Sequence, residues 1–451
     1  MLTLDAKKTL PWIIYLIFFA VLNETVFGVS TPAILAEFHL TSVGVSWMTT
    51  MFILFFGVGT VSFGRLSDLF SIRRLLIIGI VVYATGSLVG LIGQGNYTFV
   101  LVARALQGIG GSALPALVMV IVARYFAPEV RGQLFGTIGS FISFAAGIGP
   151  VIGGFVSANL HWAWLFAIPL LTLVALPYLM NILPNEETKQ GHIDYLGASL
   201  LSVGLGSFIL WLTYPEWYWV TTAGVLMAGF IVRILTAREP FVDPGLFKMG
   251  RYRAAVITTF TVFGAFIGLN LLLPLMLHRV NNLDSLWIGL VFFPGAISGV
   301  FFGPFSGRMA DKVGNSPVLT IGLALLGGSL LISPLSLLVP SAWGFPWALS
   351  AVLIVMFIGL TFFQTGLING VSQTLPPEET GVGMGVFNLS GFLAGAVGGA
   401  VVGRILDARA VSDGVLMFCI GAIVSVVGGW YLWSVRGAVP AGATGGHTPS
   451  P

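Results

Sequence analysis

The sequence predicts an all-α membrane protein with 14 transmembrane helices, arranged as two six-helix bundles with a two-helix hairpin inserted between them. Of the 451 residues, 56% are hydrophobic and only 8% are charged, which is too few charges for the surface of a soluble protein of this length. Apolar runs long enough to cross a hydrocarbon core of about 30 Å recur along the whole chain. A short charged turn also occurs twice, once in each half, which indicates an internal repeat.

The apolar runs fall into three groups along the chain. Six precede a polar stretch near residue 190, two follow it and are joined by a short turn near Pro215, and six more complete the series. The runs lie at 10–31, 45–63, 75–92, 98–122, 134–156, 163–180, 195–212, 217–235, 254–277, 286–305, 317–338, 343–366, 381–402 and 414–433. This order predicts a first bundle in residues 1–184, the hairpin with its linkers in 185–250, a second bundle in 251–437 and a disordered Gly/Pro/Ser/Thr-rich tail in 438–451.

Positively charged residues predict the orientation of these helices. If the N-terminus is cytoplasmic, 16 of the 20 Lys and Arg residues fall on the cytoplasmic side, three fall outside and Arg104 lies within a span. Because cytoplasmic loops carry an excess of Lys and Arg, we expect both termini in the cytoplasm. Lys7 and Lys8 precede the first run, which has no small-residue cleavage site, so we expect a retained first helix.

Composition and motifs exclude several classes of function. The net charge of +3 reflects the loops, so nucleic acid is not an expected partner. The five histidines lack metal-ligand spacing, and the single cysteine, Cys419, lies in an apolar run, where we expect a packed thiol. The chain has no phosphate-binding Gly-x-x-x-x-Gly-Lys-Ser/Thr loop and no cluster of catalytic groups. We therefore expect neither an enzyme nor a protein that needs a metal or cofactor.

The repeated turn is the first candidate functional element. Its residues are Gly64, Asp68, Arg73 and Arg74 after the second run, and Gly307 and Asp311 after the tenth. A carboxylate at this position can face the positive N-terminal end of a helix, and the arginines lie at the membrane surface. The pattern predicts a latch that holds one conformation. The alternative is that it only sets the topology of the loops.

Two charged residues are predicted to lie at membrane depth. Arg104 falls within the fourth run, where a guanidinium needs a carboxylate, carbonyl groups or water as partners. Glu24, which follows Asn23 in the first run, can load and release a proton as its access to water changes. We therefore predict a functional role for Arg104 and a proton-coupling role for Glu24. For Arg104 the alternative is a side chain that extends to the interface. For Glu24 the alternatives are a glutamate that stays protonated, one that is hydrogen-bonded to Asn23, and one that lies near the external interface.

The fifth run carries a glycine-rich motif, formed by Gly147, Gly149, Pro150, Gly153 and Gly154. Small residues let another helix approach closely, and the proline frees a backbone carbonyl group and bends the helix. The thirteenth run has glycines at positions 391, 395, 399 and 403, so both halves present a glycine face. Generic tight packing is the alternative interpretation.

Sparse polar side chains within the apolar runs are suitable for holding an amphipathic substrate between apolar walls. The candidates for a substrate cavity are Asn23, Gln107, Asn270, Gln364, Asn369 and Asn388. Hydrogen bonding between helices is the alternative for each of them.

Taken together, these motifs resemble the major facilitator superfamily, and within it the 14-span drug/proton antiporters, with the closest likeness to the tetracycline/proton antiporters of Gram-positive bacteria. The resemblance rests on residues 21–24, 64–74, 115–125, 147–154 and 240–246. It implies the major-facilitator fold, a monomer in the cytoplasmic (inner) membrane of a bacterium, and export of a small organic compound such as tetracycline in exchange for protons. It also implies gating and proton-relay roles for Asp68 and Arg104, coupling through Glu24, and a leak-restricting role for 149–154.

The sequence departs from that family at several positions. The tetracycline exporters have carboxylates before the glycine-proline motif of the fifth span and at the matching place in the thirteenth, where this chain has Ala146 and Gly395. Leu69 and Ser71 also replace a basic residue and a glycine of the first turn. We therefore expect exchange of one proton through Glu24. The alternatives to tetracycline are another drug or a lipophilic cation, and the alternative to export is proton-coupled uptake by a symporter.

Overall fold

A computed structural model of the chain describes residues 5–436, apart from 41, 185, 187–193, 239, 282, 284, 339–343, 377 and 408–410. Within this part of the chain, 14 helices are long and apolar enough to cross a membrane, which confirms the predicted number. The helices are α1 (Ala6–Val26), α2 (Ser42–Leu69), α3 (Ile72–Ile92), α4 (Tyr97–Tyr125), α5 (Pro128–Asn159), α6 (Trp162–Ile182), α7 (Tyr195–Thr213), α8 (Trp217–Thr236), α9 (Gly250–Asn281), α10 (Ser285–Val313), α11 (Asn315–Ile332), α12 (Gly344–Thr374), α13 (Thr380–Asp407) and α14 (Asp413–Arg436). The predicted disordered tail lies outside the described residues.

Short helical elements complete the connections between the spans. A 3₁₀ turn at Gly28–Ser30 and a helix at Thr31–Glu37 follow α1, and a one-turn helix at Gly245–Lys248 precedes α9. The first part of α6, Trp162–Ala175, is 3₁₀-helical. A 3₁₀ segment at Ser333–Leu338 extends α11.

Polar residues fix where several of the spans begin. Asp5 caps α1 by accepting a hydrogen bond from the Lys7 N–H at 2.9 Å, and Asn96 caps α4 through the Thr98 N–H at 2.9 Å. These side chains satisfy backbone donors that a helix start leaves without an intrahelical partner.

The repeated charged turn is helical, which corrects the prediction of a short turn after each apolar run. Gly64 and Asp68 lie in the last turns of α2, and Gly307 and Asp311 lie in the last turns of α10. Both helices continue past their apolar runs because charged residues at a helix end can extend into the interfacial region of the membrane.

The two bundles are each built around one central helix. In α4 of the first bundle and α12 of the second, 78% and 72% of the most apolar stretch is buried. Gly110 of α4 packs against the backbone of Tyr83 in α3, and Gly359 of α12 packs against the backbone of Leu326 in α11. A side chain at either glycine would push the two helices apart, so the internal repeat extends to the packing of the bundles.

The two bundles meet where α2 packs on α13 and where α5 packs on α10. Glycines allow both crossings. A Cβ atom at Gly64 would lie 2.5 Å from the carbonyl oxygen of Gly381, and one at Gly136 would overlap the carbonyl oxygen of Gly303. These crossings lie toward the face where α1 begins and α2 ends, which we call the basic face because it carries most of the Lys and Arg residues.

The inserted hairpin consists of α7 and α8, which pack on each other. Asp194 caps α7 through the Gly197 N–H at 3.0 Å, and its carboxylate also lies 3.0 Å from Arg233 Nε of α8. This ion pair joins the two helices at the basic face. Only 11% of the most apolar stretch of α8 is buried, so α8 presents nearly all of its surface to lipid. Cys419 of α14 is also exposed, whereas the sequence predicted a packed thiol.

Candidate functional site

Glu24 and Arg104 come together inside the first bundle. Glu24 lies near the end of α1 and is half-buried, while Arg104 lies in α4 and is 1% exposed. The two side chains attract each other electrostatically, but they do not form one of the direct ion pairs among the described residues. Because a proton on Glu24 would remove this attraction, the pair can respond to protonation.

Arg104 is held by partners other than a carboxylate. Its guanidinium carbon lies 4.4 Å from the ring centre of Phe27 and 4.2 Å from that of Phe52, so the cation contacts two aromatic faces. Its Nε donates to the Met48 carbonyl oxygen at 3.4 Å, and its Nη1 donates to Gln107 Oε1 at 3.0 Å. The side chain is thus satisfied within the bundle and does not extend to the membrane interface.

Gln107 extends this network toward α3. Its Nε2 donates to Ser87 Oγ at 2.9 Å, and that hydroxyl donates to the Tyr83 carbonyl oxygen at 3.1 Å. Asn23 is fully buried beside Tyr83. Helices α3 and α4 therefore share a buried polar network in which Arg104 is the charged group.

The glycine motif of α5 lies between the two bundles. Gly149 packs against Thr25, the neighbour of Glu24, and a Cβ atom at Gly149 would overlap the Thr25 side chain. A Cβ atom at Gly147 would lie 2.6 Å from the Cβ of Ala296 in α10 of the second bundle. Gly153 is buried, Gly154 has no neighbour within 4 Å of an added Cβ, and Pro150 lies in the helical backbone of α5. The motif therefore brings α5 close to the proton-coupling candidate on one side and to the second bundle on the other.

Asp68 forms the first interbundle contact. Its Oδ1 and Oδ2 accept hydrogen bonds from the backbone N–H groups of Gly381 and Val382, each at 3.0 Å, at the start of α13. Arg124 Nη2 of α4 lies 3.0 Å from Asp68 Oδ1. The Asp68 side chain is 3% exposed, and the free N–H groups and positive dipole of the helix start complement its charge.

Asp311 forms the second interbundle contact in the reverse direction. Its Oδ1 accepts from the Gly132 N–H at 2.8 Å and its Oδ2 accepts from the Gln133 N–H at 2.9 Å, near the start of α5. Each bundle thus supplies one carboxylate and receives the other at the basic face. Arg73 and Arg74 lie nearby at the start of α3, where Arg74 is exposed.

The two contacts differ in charge. The number of residues from Gly110 to Arg124 in α4 equals the number from Gly359 to Gln373 in α12. Gln373 therefore takes the place of Arg124 in the second bundle. Gln373 instead accepts a hydrogen bond from Asn315 at 3.1 Å, and Asn315 accepts one from Asn369 at 2.7 Å. A neutral amide cluster therefore replaces the ion pair.

A further carboxyl group lies next to the first interbundle contact. Glu379 precedes α13, its carbonyl oxygen accepts from the Gly383 N–H at 2.8 Å, and its side chain is hydrogen-bonded to Asp243. Burial raises the pKa of Glu379, and the neighbouring Asp243 and Asp68 raise it further, while Arg65 opposes them. The Asp68 contact thus has a titratable neighbour.

The structure does not bring the six candidate cavity residues together. Gln107 is fully buried within the first bundle, and Asn369 belongs to the amide cluster near the basic face, so both side chains serve helix packing in this conformation. Asn270 donates to the carbonyl oxygen of Phe266 in its own helix at 2.9 Å. Gln364 lies opposite Gly139 of α5, and Asn388 is half-buried on α13. The substrate-cavity role of all six residues stays a prediction.

Sequence reasoning missed Arg124 as the ion-pair partner of Asp68, since it used Arg124 only for topology and as part of the family resemblance. Its position at the end of α4, on the same face as Asp68, is the signal that could have found it. It also missed a cluster on the opposite face, where the carboxylate of Glu37 accepts hydrogen bonds from the side chains of His161 and Trp162. Among the residues that the structure describes, no three metal-ligating side chains come together.

Comparison with known proteins identifies the family. The model of the Major Facilitator Superfamily matches residues 13–399. The chain is 28% identical over 334 residues to the uncharacterized MFS-type transporter YhcA of Bacillus subtilis, an alignment that covers 71% of this chain and 62% of YhcA. It is also 28% identical over 423 residues to the lincomycin resistance protein LmrB of Bacillus subtilis, which covers 89% of this chain and 86% of LmrB.

A solved structure has the same fold. The crystal structure of the human organic anion transporter MFSD10 (TETRAN) aligns with a TM-score of 0.69 at 18% identity, covering 96% of this chain and 99% of that one. At this identity the likeness concerns the fold alone, and it agrees with the two bundles described above. The chain therefore belongs to the major facilitator superfamily of membrane transporters.

Proposed function

We propose that the chain is a proton-coupled exporter that moves a small amphipathic organic compound, such as tetracycline or another drug, across a bacterial cytoplasmic membrane by alternating access. The observation that carries this proposal is the pair of interbundle contacts at the basic face. Asp68 and Asp311 each hold two backbone N–H groups of the other bundle. Contacts of this kind close one face of a two-bundle transporter and break when the bundles rock.

The proposed orientation follows from charge. The basic face is cytoplasmic because Lys and Arg are retained on that side of a bacterial membrane. This conformation is then the cytoplasm-closed state of the cycle, in which Asp68 and Asp311 act as latches. Gly64, Gly307, Arg73 and Arg74 support the latches by allowing close helix approach and by holding the ends of the helices at the membrane surface.

Proton coupling in this proposal occurs at Glu24. An ionised Glu24 attracts the buried Arg104, and protonation removes that attraction. Gly149 of α5 packs against Thr25 beside Glu24, and Gly147 packs against α10 of the other bundle. Rocking of the second bundle therefore moves a helix that contacts the neighbour of Glu24, which changes the access of this carboxyl group to water. One carboxyl group at this depth supports exchange of a single proton.

The substrate class is inferred from a relative and from the polar groups in the apolar helices. LmrB is named as a lincomycin resistance protein, and the polar groups available in the apolar helices, Asn23, Asn270, Gln364 and Asn388, fit an amphipathic compound rather than a strongly charged one. The absence of carboxylates at Ala146 and Gly395 weighs against direct binding of a metal-chelated drug. We therefore place tetracycline, lincomycin and lipophilic cations together as the compounds to test.

The experiment measures substrate-dependent proton movement in everted membrane vesicles with an imposed pH gradient. Vesicles that contain the wild-type protein should release protons from their lumen when a transported compound is added. Glu24→Gln should abolish this movement, because an amide cannot load a proton. Glu216→Gln, which changes an exposed carboxyl group at the opposite face, serves as the matched control and should transport normally.

The direction of movement separates the alternatives. Protons and substrate that cross in the same direction would identify a symporter and overturn the export proposal. Full proton-driven transport by Glu24→Gln would refute the coupling role. Transport of lipophilic cations without tetracycline would keep the mechanism and change the substrate class.

A further inference from the structure

The inserted hairpin lies against only one of the two boundaries between the bundles. Helix α7 contacts both α2 of the first bundle and α13 of the second. Gly206 of α7 makes one of these contacts, since a Cβ atom there would lie 2.9 Å from Leu54 Cδ1 of α2. Helix α7 thus follows the line where α2 and α13 meet.

The space between the three helices is apolar. A small crevice lies there, and all of its lining side chains are apolar. They come from α2, α7 and α13, and the lining residues are Ile53, Leu54, Gly57, Val58, Leu205, Ile209, Leu389, Phe392 and Leu393. Because no polar group lines it, water gains nothing by entering, and apolar side chains of α7 cover what would otherwise be a lipid-facing groove.

Aromatic contacts hold α7 to both bundles toward the opposite face. Trp47 of α2 stacks on Tyr214 at the end of α7, with ring centres 5.4 Å apart. Arg404 of α13 lies over the ring of Trp211, with 5.5 Å between the guanidinium carbon and the ring centre. Flat rings can slide over one another and over a guanidinium plane, so these contacts tolerate a change in the angle between α2 and α13.

The boundary between α5 and α10 is built differently. Those helices touch through glycine backbones, as where Gly136 meets Gly303 and where Gly132 meets Gly307. Neither α7 nor α8 is among the main neighbours of α5 and α10 in the described part of the chain. The two boundaries therefore present different surfaces to the bilayer.

We propose that the inserted hairpin is a lateral wall, in which α7 covers the α2–α13 boundary and keeps lipid out of it while the bundles rock, so that the α5–α10 boundary is the one open to the bilayer. The wall itself follows from the fold, and its importance for transport rests on the proposed function. The hairpin ion pair between Asp194 and Arg233 fits this role, because it fixes α8 behind α7 as a backing helix.

The experiment measures contact with lipid directly, so it does not depend on knowing the substrate. In a Cys419→Ser background, a bimane fluorophore is attached to Leu393→Cys, at the covered boundary, or to Val225→Cys, on a part of α8 that is 71% exposed. Vesicles contain phospholipids with a doxyl quencher on the acyl chain. We expect weak quenching at position 393 and strong quenching at position 225.

Two glycines of the hairpin give matched variants. Gly206→Leu should force α7 away from Leu54 and raise quenching at position 393 toward the level at position 225. Gly224→Leu is the control, because an added Cβ there meets nothing within 4 Å, and it should leave the quenching at position 393 unchanged. Gly206→Ala, which needs only a small shift of the Leu54 side chain, should give an intermediate result and covers the case in which Gly206→Leu does not fold. Equal quenching at positions 393 and 225 in the parent protein, or no response to either Gly206 variant, would overturn the proposal. If the proposed function fails but quenching behaves as expected, the wall stands as a structural feature of a transporter with another activity.

Discussion

At the scale of single residues, the burial of Arg104 is the clearest departure from ordinary membrane packing. A guanidinium at membrane depth is costly unless its donors and its charge are satisfied. Here the donors reach Gln107 and the Met48 carbonyl group, and the charge is balanced by the rings of Phe27 and Phe52 together with the nearby Glu24. Arg104 therefore keeps its hydrogen-bond and aromatic partners whether or not Glu24 carries a charge, as the proposed proton coupling requires.

Glu379 provides a prediction about pH at the same scale. Burial and the neighbouring Asp243 and Asp68 raise the pKa of Glu379 in the folded state, so the folded state binds this proton more tightly than the unfolded chain does. The stability that this group contributes is complete below its ordinary value of 4.5 and is lost as the pH rises through the raised pKa. Glu379→Gln stays neutral, so its melting temperature in detergent should fall less than that of the wild type as the pH is raised above 4.5.

The neighbouring Glu378 is the control for that experiment. Its side chain is exposed, so Glu378→Gln should keep the pH dependence of the wild-type melting temperature. If the melting temperatures of Glu379→Gln and of the wild type change with pH in the same way, protonation of Glu379 does not contribute to the stability of the fold near the Asp68 contact.

At the scale of helices, the crossing of α5 and α10 depends on glycine. An added side chain at Gly303 would overlap Ser140 and the carbonyl oxygen of Gly136, whereas at Gly289 of the same helix it would meet nothing within 4 Å. Overpacking of a tight contact typically costs about 1–3 kcal/mol, so Gly303→Leu should open the basic face. Spin labels at Lys8→Cys and Ser316→Cys, in a Cys419→Ser background, should then move apart, because these exposed positions belong to different bundles.

Gly289→Leu is the matched control and should leave the distance between the two labels as in the wild type. An unchanged distance in Gly303→Leu, in protein that remains folded, would mean that the crossing relaxes without separating the bundles.

The helix ends of the two bundles also predict unequal latches. Arg124 gives Asp68 a charged partner, whereas Gln373 occupies the corresponding place in the second bundle and leaves Asp311 with backbone donors alone. A hydrogen bond to a charged group contributes about 1.5–3 kcal/mol, and the partial exposure of Arg124 places the expected loss at the lower end. Arg124→Gln should therefore increase the open population of the basic face, measured with the same spin labels. High salt should weaken the wild-type closure more than that of the variant, which has lost the ion pair.

Gln373→Leu tests the corresponding position without changing charge. It disrupts the amide cluster with Asn315 but leaves the donors of Asp311 in place, so the salt dependence of closure should match that of the wild type. If Arg124→Gln and Gln373→Leu changed the salt dependence of closure equally, the ion pair would not make the Asp68 contact stronger than the Asp311 contact.

At the scale of the whole molecule, the sequence predicted the number and order of the spanning helices because lipid leaves few options. A backbone segment in hydrocarbon must satisfy its polar groups internally, so each long apolar run becomes a helix. The two-bundle arrangement was also predictable, because the turn around Asp68 returns around Asp311. What a helix contacts was less predictable, since the partners of Asp68 lie in α13, far away in the sequence.

Part of the candidate site was within reach of sequence reasoning. Arg104 and Gln107 are three residues apart on one helix, a spacing that places both side chains on the same face and predicts their contact. The role of Gln373 and Asn369 in an amide cluster was not predictable, because it requires knowing that the start of α11 meets the end of α12. The sequence shows which polar residues lie in apolar helices, but it does not show which side chains face a cavity and which hydrogen-bond to a neighbouring helix.

The symmetry of the molecule leads to a final prediction about its closure. If the basic face closes as one rigid contact between bundles, Asp68 and Asp311 act on the same equilibrium, and their contributions to its free energy should add because the two sites share no partner. A carboxylate at a helix start contributes about 0.3–2 kcal/mol, so Asp68→Asn and Asp311→Asn should each lower the closed-to-open equilibrium constant by a factor of their own. The double variant should lower it by the product of the two factors. The spin labels at positions 8 and 316 measure these populations, and membrane insertion of all three variants should be normal. A double variant that matches Asp68→Asn alone would show that the second contact forms only as a consequence of the first, and closure would then depend on one latch rather than two.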